Sequence, residues 1–259
     1  MKMSKEVINK YIYKSDKLIH EQNLTMEQIY YYSYVLNKHG VAFEYFDIDN
    51  KYRSLTYKQV NKNTSKYAGV ISKSLEGDEK HNVVILKYIN SPEWCEIFYA
   101  ILMAGFKPLL VNASTSVDGV ENLAKQAKAV AVITDDPFQY NIKKITVEEI
   151  VLAKEEKGFK PDWENEVIFC SSGTTGDVKL MVFTGENMCY QVVSAIKCGE
   201  VSDDIMYPKK YGNLKILAMI PFHHIFGFVA VFLWYAFYNK TIVFPANMNS
   251  KEIQKLCVD

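Results

Sequence analysis

Short apolar runs alternate with amphipathic stretches through the middle of the chain. Residues 83–89, 107–111 and 129–134 are almost continuously apolar, as expected of strands that are buried on both faces. Residues 92–104 and about 117–128 carry apolar side chains at helical spacing. Ser91 and Pro92 are typical of a helix start and Gly105 of a helix end. This order predicts a strand-helix-strand-helix-strand unit with a parallel sheet.

The sequence before this unit predicts a helical lead-in over residues 1–40, because apolar and aromatic residues recur at helical spacing up to Gly40. Residues 41–47 alternate like a half-buried strand, and residues 50–54 predict a turn. Thr56 is expected to cap a helix that continues to Leu75.

The sequence after the unit predicts strands over residues 166–172 and 180–184, followed by a helix that Thr184 caps and that continues to about Lys197. Four more elements are expected: a strand over 213–220, an apolar helix over 225–238, a strand over 240–244 and an amphipathic helix over 249–257. We therefore predict an α/β fold with mixed, largely parallel sheets flanked by helices.

Composition excludes several classes of function. The 259 residues include 30 basic and 30 acidic side chains, so no net charge attracts the protein to nucleic acid or to an anionic membrane. The strongest apolar run, residues 225–238, is shorter than the ~20 residues that span a bilayer. The N-terminal sequence lacks the features of a signal peptide, which predicts a cytoplasmic protein. The five cysteines form no CxxC pair typical of zinc or redox sites.

The polar segment between the two later strands reads "SSGTTGDVK" from residue 171 to 179. Its glycines permit positive φ, which lets successive backbone N–H groups face one side and bind an anion. Its hydroxyl groups and Lys179 add donors, and charge-assisted hydrogen bonds contribute about 1.5–3 kcal/mol each. The segment is not a Walker A loop, because Lys179 enters a strand rather than a helix. On this chemistry alone, a phosphate-binding loop and a plain turn both stay open.

Two other groups of polar residues are candidates for chemistry. His223 and His224 precede the apolar helix, but adjacent side chains point in different directions and make a poor metal-binding pair. A histidine in a core or a cap is the alternative. Asp135 and Asp136 stand before Pro137, where a solvated turn is expected rather than a magnesium site.

The segment "SSGTTGDVK" resembles the signature loop of the adenylate-forming superfamily, which includes acyl-CoA synthetases, luciferases and the adenylation domains of peptide synthetases. That pattern has a Ser/Thr pair, Gly-Thr-Thr-Gly and a lysine usually flanked by Pro and Gly, whereas Val178 and Leu180 flank Lys179 here. Three more segments resemble the family in the same order: "LTYKQVNKNTSKYA", "LMAGFKPLLVN" and "PFHHIFGF". The similarity extends from about residue 40 to the end of the sequence.

The resemblance implies that residues 41–259 are a partial N-terminal AMP-binding domain, without its C-terminal half and the small C-terminal domain. In this family a carboxylate attacks the α-phosphorus of MgATP, pyrophosphate leaves, and a thiol of coenzyme A or a carrier protein captures the acyl-adenylate. By resemblance, His224 and Phe226 bind the acid, and the nucleotide phosphates are bound by Ser171, Ser172, Gly173, Thr174, Thr175, Gly176 and Lys179. No catalytic residue and no metal ligand is assigned to this chain.

The resemblance also implies that the chain is inactive by itself, because the family's adenine-binding and ribose-binding segments and its catalytic lysine follow later. The expected ligands are ATP, Mg²⁺ and a small carboxylic acid whose identity the sequence does not indicate. The alternative is a non-catalytic protein that retains the fold and binds a ligand or a partner. The sequence does not indicate the oligomeric state.

Overall fold

The computed structural model describes residues 17–18, 24–172, 178–201, 215–246 and 253. The chain forms two compact units. Unit 1 comprises Met1–Val60, Gly185–Ile220 and Phe226–Asp259, and unit 2 comprises Asn61–Thr184 and Pro221–Ile225.

The strands of the described residues are β1 (Val41–Phe46), β2 (Tyr52–Thr56), β3 (Val83–Lys87), β4 (Lys107–Val111), β5 (Ala129–Ile133), β6 (Lys143–Ile145), β7 (Glu166–Ser172), β8 (Val178–Thr184), β9 (Lys215–Leu217) and β10 (Thr241–Phe244). The α-helices are α1 (Met26–Tyr30), α2 (Tyr57–Ser74), α3 (Pro92–Met103), α4 (Val117–Ala127), α5 (Val147–Leu152), α6 (Gly185–Val201) and α7 (Trp234–Phe237). Two π-helical segments are π1 (Tyr31–Val35) and π2 (Gly227–Leu233).

Unit 2 contains a six-stranded sheet in the order β6-β5-β3-β4-β7-β8. Neighbouring strands are parallel except for the antiparallel pair β7 and β8. One face of the sheet packs against α4, and the shared core contains Val83, Ile85, Leu109, Val111, Val120, Leu123, Ala124, Ala129, Val132 and Ile168. Val84, Leu86 and Leu110 alternate with these positions and are also buried, so the strands are covered on both faces. The predicted α/β class and the parallel strand-helix-strand unit are confirmed.

The predicted boundaries of α3 are confirmed by its contacts. The Trp94 N–H donates to Ser91 Oγ at 3.1 Å, and Pro92 occupies the first turn. Gly105 has φ +87°, where a Cβ would also lie 3.0 Å from the carbonyl oxygen of Asp162. A residue with a side chain is therefore strained at this helix end.

Unit 1 contains a four-stranded sheet in the order β2-β1-β10-β9, in which β10 is parallel to both neighbours and β2 is antiparallel to β1. The turn that the sequence placed at residues 50–54 is partly wrong, because Tyr52 already begins strand β2. Asp47 Oδ1 accepts the N–H groups of Asp49 and Lys51, and Asn50 has φ +57°. The turn is therefore completed by Lys51.

Helix α2 begins with the predicted cap. Gln59 N–H donates to Thr56 Oγ1 at 3.3 Å, and Thr56 N–H donates to Gln59 Oε1 at 2.8 Å. This reciprocal pair is a capping box. A second one, between Thr146 and Glu149, starts α5, which the sequence analysis did not predict although the Thr-x-x-Glu spacing was present.

The other helical predictions are partly covered by the described residues. In the predicted lead-in, Met26–Tyr30 and Tyr31–Val35 are helical, whereas residues 1–16 and 19–23 lie outside the described part. The apolar helix begins near residue 225 and continues through π2 and α7. The predicted helix over 249–257 lies outside the description except for Ile253. No helix of the described residues is long and apolar enough to cross a membrane.

A buried ion pair joins strand β3 to the loop after β5. Lys87 donates to Asp136, which also accepts the hydroxyl of Tyr140, and the side chains of Lys87 and Asp136 are 3% and 15% exposed. Burial acts to raise the pKa of Asp136, but the hydrogen bonds from Lys87 and Tyr140 outweigh it and hold the pKa below its usual range. Asp136 therefore lies in a turn, as expected, but is mostly buried rather than solvated.

We expect substitutions of Lys87 and Asp136 to lower the free energy of unfolding by different amounts. Asp136→Asn leaves the buried Lys87 ammonium without a counter-charge, and the free energy of unfolding should fall by about 3–5 kcal/mol. Lys87→Met removes the buried charge itself and leaves the more exposed Asp136 with Tyr140, so the loss should be less than half as large. Urea unfolding of both variants measures the difference, and equal losses would contradict this description of the pair.

Candidate functional site

The parallel strands of unit 2 all end at one edge of the sheet. Strand β3 lies between β4 and β5, so the chain moves to one side of β3 for β4 and returns past it for β5. In open α/β sheets, ligands bind outside the carboxyl ends of the strands where the connections change direction. The carboxyl ends of β3 and β4 meet this condition, and β7 ends beside β4 at the same edge.

The strands β7 and β8 bring part of the glycine-rich segment to this edge. Ser171 pairs with Lys179 and Ser172 with Val178 in the antiparallel register. Ser171 is partly buried, whereas Lys179 is exposed. The end of β7 and the start of β8 therefore place a hydroxyl group and a lysine side by side. Gly173, Thr174, Thr175 and Gly176, which the sequence also assigns to phosphate binding, lie outside the described residues, as does the side chain of Ser172.

The base of this hairpin is fixed by packing on one face. Cys170 and Leu180, which pair with each other, both pack against the core beside α4. Because side chains alternate along a strand, Ser171 and Lys179 point to the opposite face. Gln126 of α4 donates to the carbonyl oxygen of Val178 at 3.2 Å. Leu180, one of the two departures from the family pattern, thus has a packing role here.

Cys170 adjoins the segment but is not an activated thiol. Burial raises the pKa of its thiol to about 11, so the thiol is protonated at neutral pH. Cys95 and Cys189 are also buried, as expected of cysteines with packing roles. The side chains of Cys198 and Cys257 lie outside the described residues.

The histidine turn, Pro221–Ile225, belongs to unit 2. His224 N–H donates to the carbonyl oxygen of Pro221 at 3.2 Å and closes the turn. The Phe222 N–H donates to Asn90 Oδ1, in the loop after β3, at 2.9 Å. This hydrogen bond places the turn at the carboxyl end of β3, which is the sheet edge that also carries Ser171 and Lys179.

The two histidines differ in their surroundings. His224 is exposed, whereas His223 is half-buried and its Nε2 is buried with no hydrogen-bond partner among the described residues. Burial, and then the adjacent His224, lower the pKa of His223 to about 4. His223 is therefore neutral at physiological pH. The imidazole rings are 4.2 Å apart, centroid to centroid.

Phe226, the other residue that the resemblance assigns to acid binding, belongs to unit 1 and is 65% exposed. It is the N-terminal cap residue of π2. Ser171, Lys179 and the two histidines thus belong to unit 2, whereas Phe226 belongs to unit 1.

Sequence reasoning missed the residues that hold the histidine turn. Ser91 and Pro92 were assigned as a helix start, but the preceding Asn90 had no recognised role. The only signal was a polar residue at the end of an apolar strand. The residue that it binds, Phe222, lies 132 positions later. In the described residues, no group of three His, Cys, Asp or Glu side chains is arranged to hold a metal ion.

Comparison with known proteins gives several matches. The chain is 28% identical over 200 residues to 4-coumarate--CoA ligase-like 1 of Arabidopsis thaliana, an alignment that covers 69% of this chain and 35% of that protein. The chain thus spans about a third of this curated relative.

Solved structures share the fold at low sequence identity. Bacillus subtilis o-succinylbenzoate CoA synthetase with its acyl-adenylate intermediate matches with TM-score 0.71 and 18% identity, covering 89% of this chain and 58% of that chain. The same enzyme with ATP and magnesium matches with TM-score 0.70 and 17% identity, covering 92% of this chain and 61% of that chain. ATP-bound MatB of Rhodopseudomonas palustris matches with TM-score 0.72 and 14% identity, covering 89% of this chain and 47% of that chain.

A sequence profile of the family described as AMP-binding enzyme matches residues 36–259. This match covers most of the chain and agrees with the resemblance of its motifs and with the shared fold. The chain belongs to the AMP-binding enzyme family.

Proposed function

We propose that this chain is the N-terminal part of an enzyme that activates a carboxylic acid with ATP, an acyl-CoA synthetase-like ligase. The observation that carries the proposal is the pairing of Ser171 with Lys179 at the carboxyl edge of a parallel sheet. The sequence Gly-Thr-Thr-Gly stands between them. Because the chain belongs to the AMP-binding enzyme family, we interpret this pairing as part of a nucleotide-binding site.

In this proposal the segment 171–179 binds the β- and γ-phosphates of ATP. Backbone N–H groups and hydroxyls donate to the phosphate oxygens, and the Lys179 ammonium contributes a positive charge. Negative charge develops on pyrophosphate as it leaves, so donors fixed at this position stabilise the transition state more than the ground state. Mg²⁺ enters as part of the MgATP substrate, which the complex of the Bacillus enzyme with ATP and magnesium supports.

The histidine turn supplies the acid-binding side of the proposed site. His224 is exposed and lies at the same sheet edge as the hairpin, so it is available to a carboxylate. From the resemblance alone, we also propose that Phe226 contacts the acid. The acceptor is proposed to be coenzyme A or a carrier-protein thiol, and the names of the relatives favour coenzyme A.

The extent of the domain is also proposed. Residues 41–259 form part of an N-terminal AMP-binding domain, preceded by a helical lead-in over residues 1–40. The overall reaction is proposed for the whole protein, because this chain spans 35% of its curated relative. We expect the 259-residue chain alone to bind the nucleotide without turnover. The cytoplasmic location and the absence of nucleic-acid binding remain predictions from the sequence.

Lys179→Ala should weaken binding of MgATP to the 259-residue chain. The lost charge-assisted contact is equivalent to about 10- to 100-fold in the dissociation constant. Isothermal titration calorimetry at constant ionic strength measures the change.

Lys160→Ala is the matched control, because Lys160 is also exposed but lies in the segment that leads into the amino end of β7, whereas Lys179 follows its carboxyl end. Its affinity for MgATP should equal that of the wild type. Equal affinities of the Lys179 variant and the wild type, or no binding by a folded wild-type chain, would reject the phosphate-binding role.

His224→Ala should raise the KM for the acid about tenfold in the complete protein and leave the KM for ATP unchanged, because one hydrogen bond to a carboxylate is lost. The measurement is acid-dependent exchange of labelled pyrophosphate into ATP, with a panel of aliphatic and aromatic acids. His39→Ala, at an exposed histidine of unit 1, is the control.

Two outcomes of this assay would contradict the proposal. An increase in the KM for ATP would place His224 on the nucleotide side. No exchange with any acid, by a protein that binds MgATP, would favour the alternative of a non-catalytic binding protein with this fold.

A further inference from the structure

The histidine turn is a five-residue segment of unit 2 between two segments of unit 1 in the sequence. Residues on both sides, Gly185–Ile220 and Phe226–Asp259, belong to unit 1, whereas Pro221–Ile225 packs with unit 2. Specific contacts must therefore hold the turn on unit 2. They determine where His223 and His224 lie relative to the hairpin of β7 and β8.

Phe222 makes two contacts that anchor the turn. Its backbone N–H donates to Asn90 Oδ1 at 2.9 Å. Its ring is fully buried and meets the ring of Trp94 edge to face, with centroids 5.4 Å apart. The backbone N–H of Trp94 in turn donates to Ser91 Oγ at the start of α3. A single stretch between β3 and α3 thus provides both the acceptor and the aromatic surface.

The two contacts constrain the position of the histidine turn in different ways. Aromatic packing buries apolar area but tolerates small rotations and shifts of the ring. A hydrogen bond to a backbone N–H fixes the main chain itself, within a few tenths of an ångström and a limited angle. The N–H of a residue as buried as Phe222 would also lose hydrogen bonding to water without Asn90. The hydrogen bond to Asn90 therefore fixes the main chain beside His223.

We propose that Asn90 is a positioning residue, which fixes the histidine turn at the carboxyl end of β3 so that the acid meets the ATP bound at the hairpin. This inference rests on the proposed function. Strands β3 and β7 are separated only by β4, which corresponds to about 10 Å between them. A bound acid and a triphosphate can both reach across this distance. An error of about 1 Å in placement can cost about 100-fold in rate.

His223 reports on the position of the turn without any need for catalysis. Its pKa is lowered to about 4 by burial and then by His224. If the turn is released, His223 gains solvent and its pKa should rise toward the ordinary value of about 6.5. A role of Asn90 in general stability alone would leave the pKa of the folded state unchanged.

The test compares Asn90→Ala with the conservative Asn90→Asp, whose carboxylate oxygen can accept the same N–H bond. Asn82→Ala is the control: Asn82 lies at the amino end of β3, and the contact that its backbone carbonyl oxygen accepts from the Lys107 N–H survives the substitution. Histidine ring signals are titrated by NMR in the 259-residue chain. The kcat of pyrophosphate exchange and the affinity for MgATP are measured in the complete protein.

In Asn90→Ala we expect the pKa of His223 to rise by at least one unit and kcat to fall about 10- to 100-fold. Binding of MgATP should change less than twofold. Asn82→Ala should resemble the wild type in all three measurements. Asn90→Asp should retain most of kcat and of the affinity for MgATP; its carboxylate adds a negative charge near His223 that raises the pKa of that residue by itself, so this variant is compared by kcat and affinity alone. If Asn90→Ala does not fold, Asn90→Gln, which displaces the acceptor by one methylene group, takes its place.

An unchanged His223 pKa in the folded variant would overturn the proposal, as would an unchanged kcat. A loss of MgATP affinity equal to the loss of kcat would also overturn it, because Asn90 would then act on the nucleotide. If the wild type catalyses no exchange, the proposed function fails, and the His223 titration alone decides whether Asn90 holds the turn.

Discussion

The hydrogen-bonded ladder of parallel strands β3, β4 and β7 is the constraint on which the rest of this structure depends. Parallel strands need crossover connections, and here the helices α3 and α4 connect β3 to β4 and β4 to β5 and cover the sheet. The strands are therefore buried on both faces, and only their ends are available for binding. Because β3, β4 and β7 point the same way, the polar segments that follow them meet at one edge. The site is a consequence of this topology rather than of any single loop.

This constraint explains why residues distant in sequence serve one candidate site. Lys179 reaches the edge because β8 returns antiparallel to β7, and the packing of Cys170 and Leu180 fixes the register of that return. The histidine turn reaches the same edge through Asn90. Core packing thus holds the hairpin, and the hydrogen bond to Asn90 together with an aromatic contact holds the histidine turn.

Much of the fold could be predicted from the sequence, and the failures have physical reasons. The unit from β3 to β5 was predictable because strands buried on both faces are apolar throughout and Ser91, Pro92 and Gly105 are strong boundary signals. Strand β2 was missed because its first three residues are exposed, so it has no hydrophobic period. Strand β6 was missed because its three residues are too few to show a hydrophobic pattern. The π-helical segments differ from α-helices in hydrogen bonding, which apolar spacing does not reveal.

The candidate site was predictable only in part. The chemistry of residues 171–179 left a turn and a phosphate-binding loop open, and the resemblance of four ordered motifs favoured the second. The pairing of Ser171 with Lys179 agrees with that role but could not be read from spacing. The contribution of Asn90 could not be predicted at all, because it depends on a contact between residues 132 positions apart.

The central claim is that the segment 171–179 binds the phosphates of ATP, and backbone amide NMR of the isotope-labelled chain tests it most directly. Addition of MgATP, and of magnesium triphosphate, should shift amide signals concentrated in residues 171–179, whereas adenosine should leave them unchanged. Shifts centred on another part of the chain, or equal shifts with adenosine, would contradict the account.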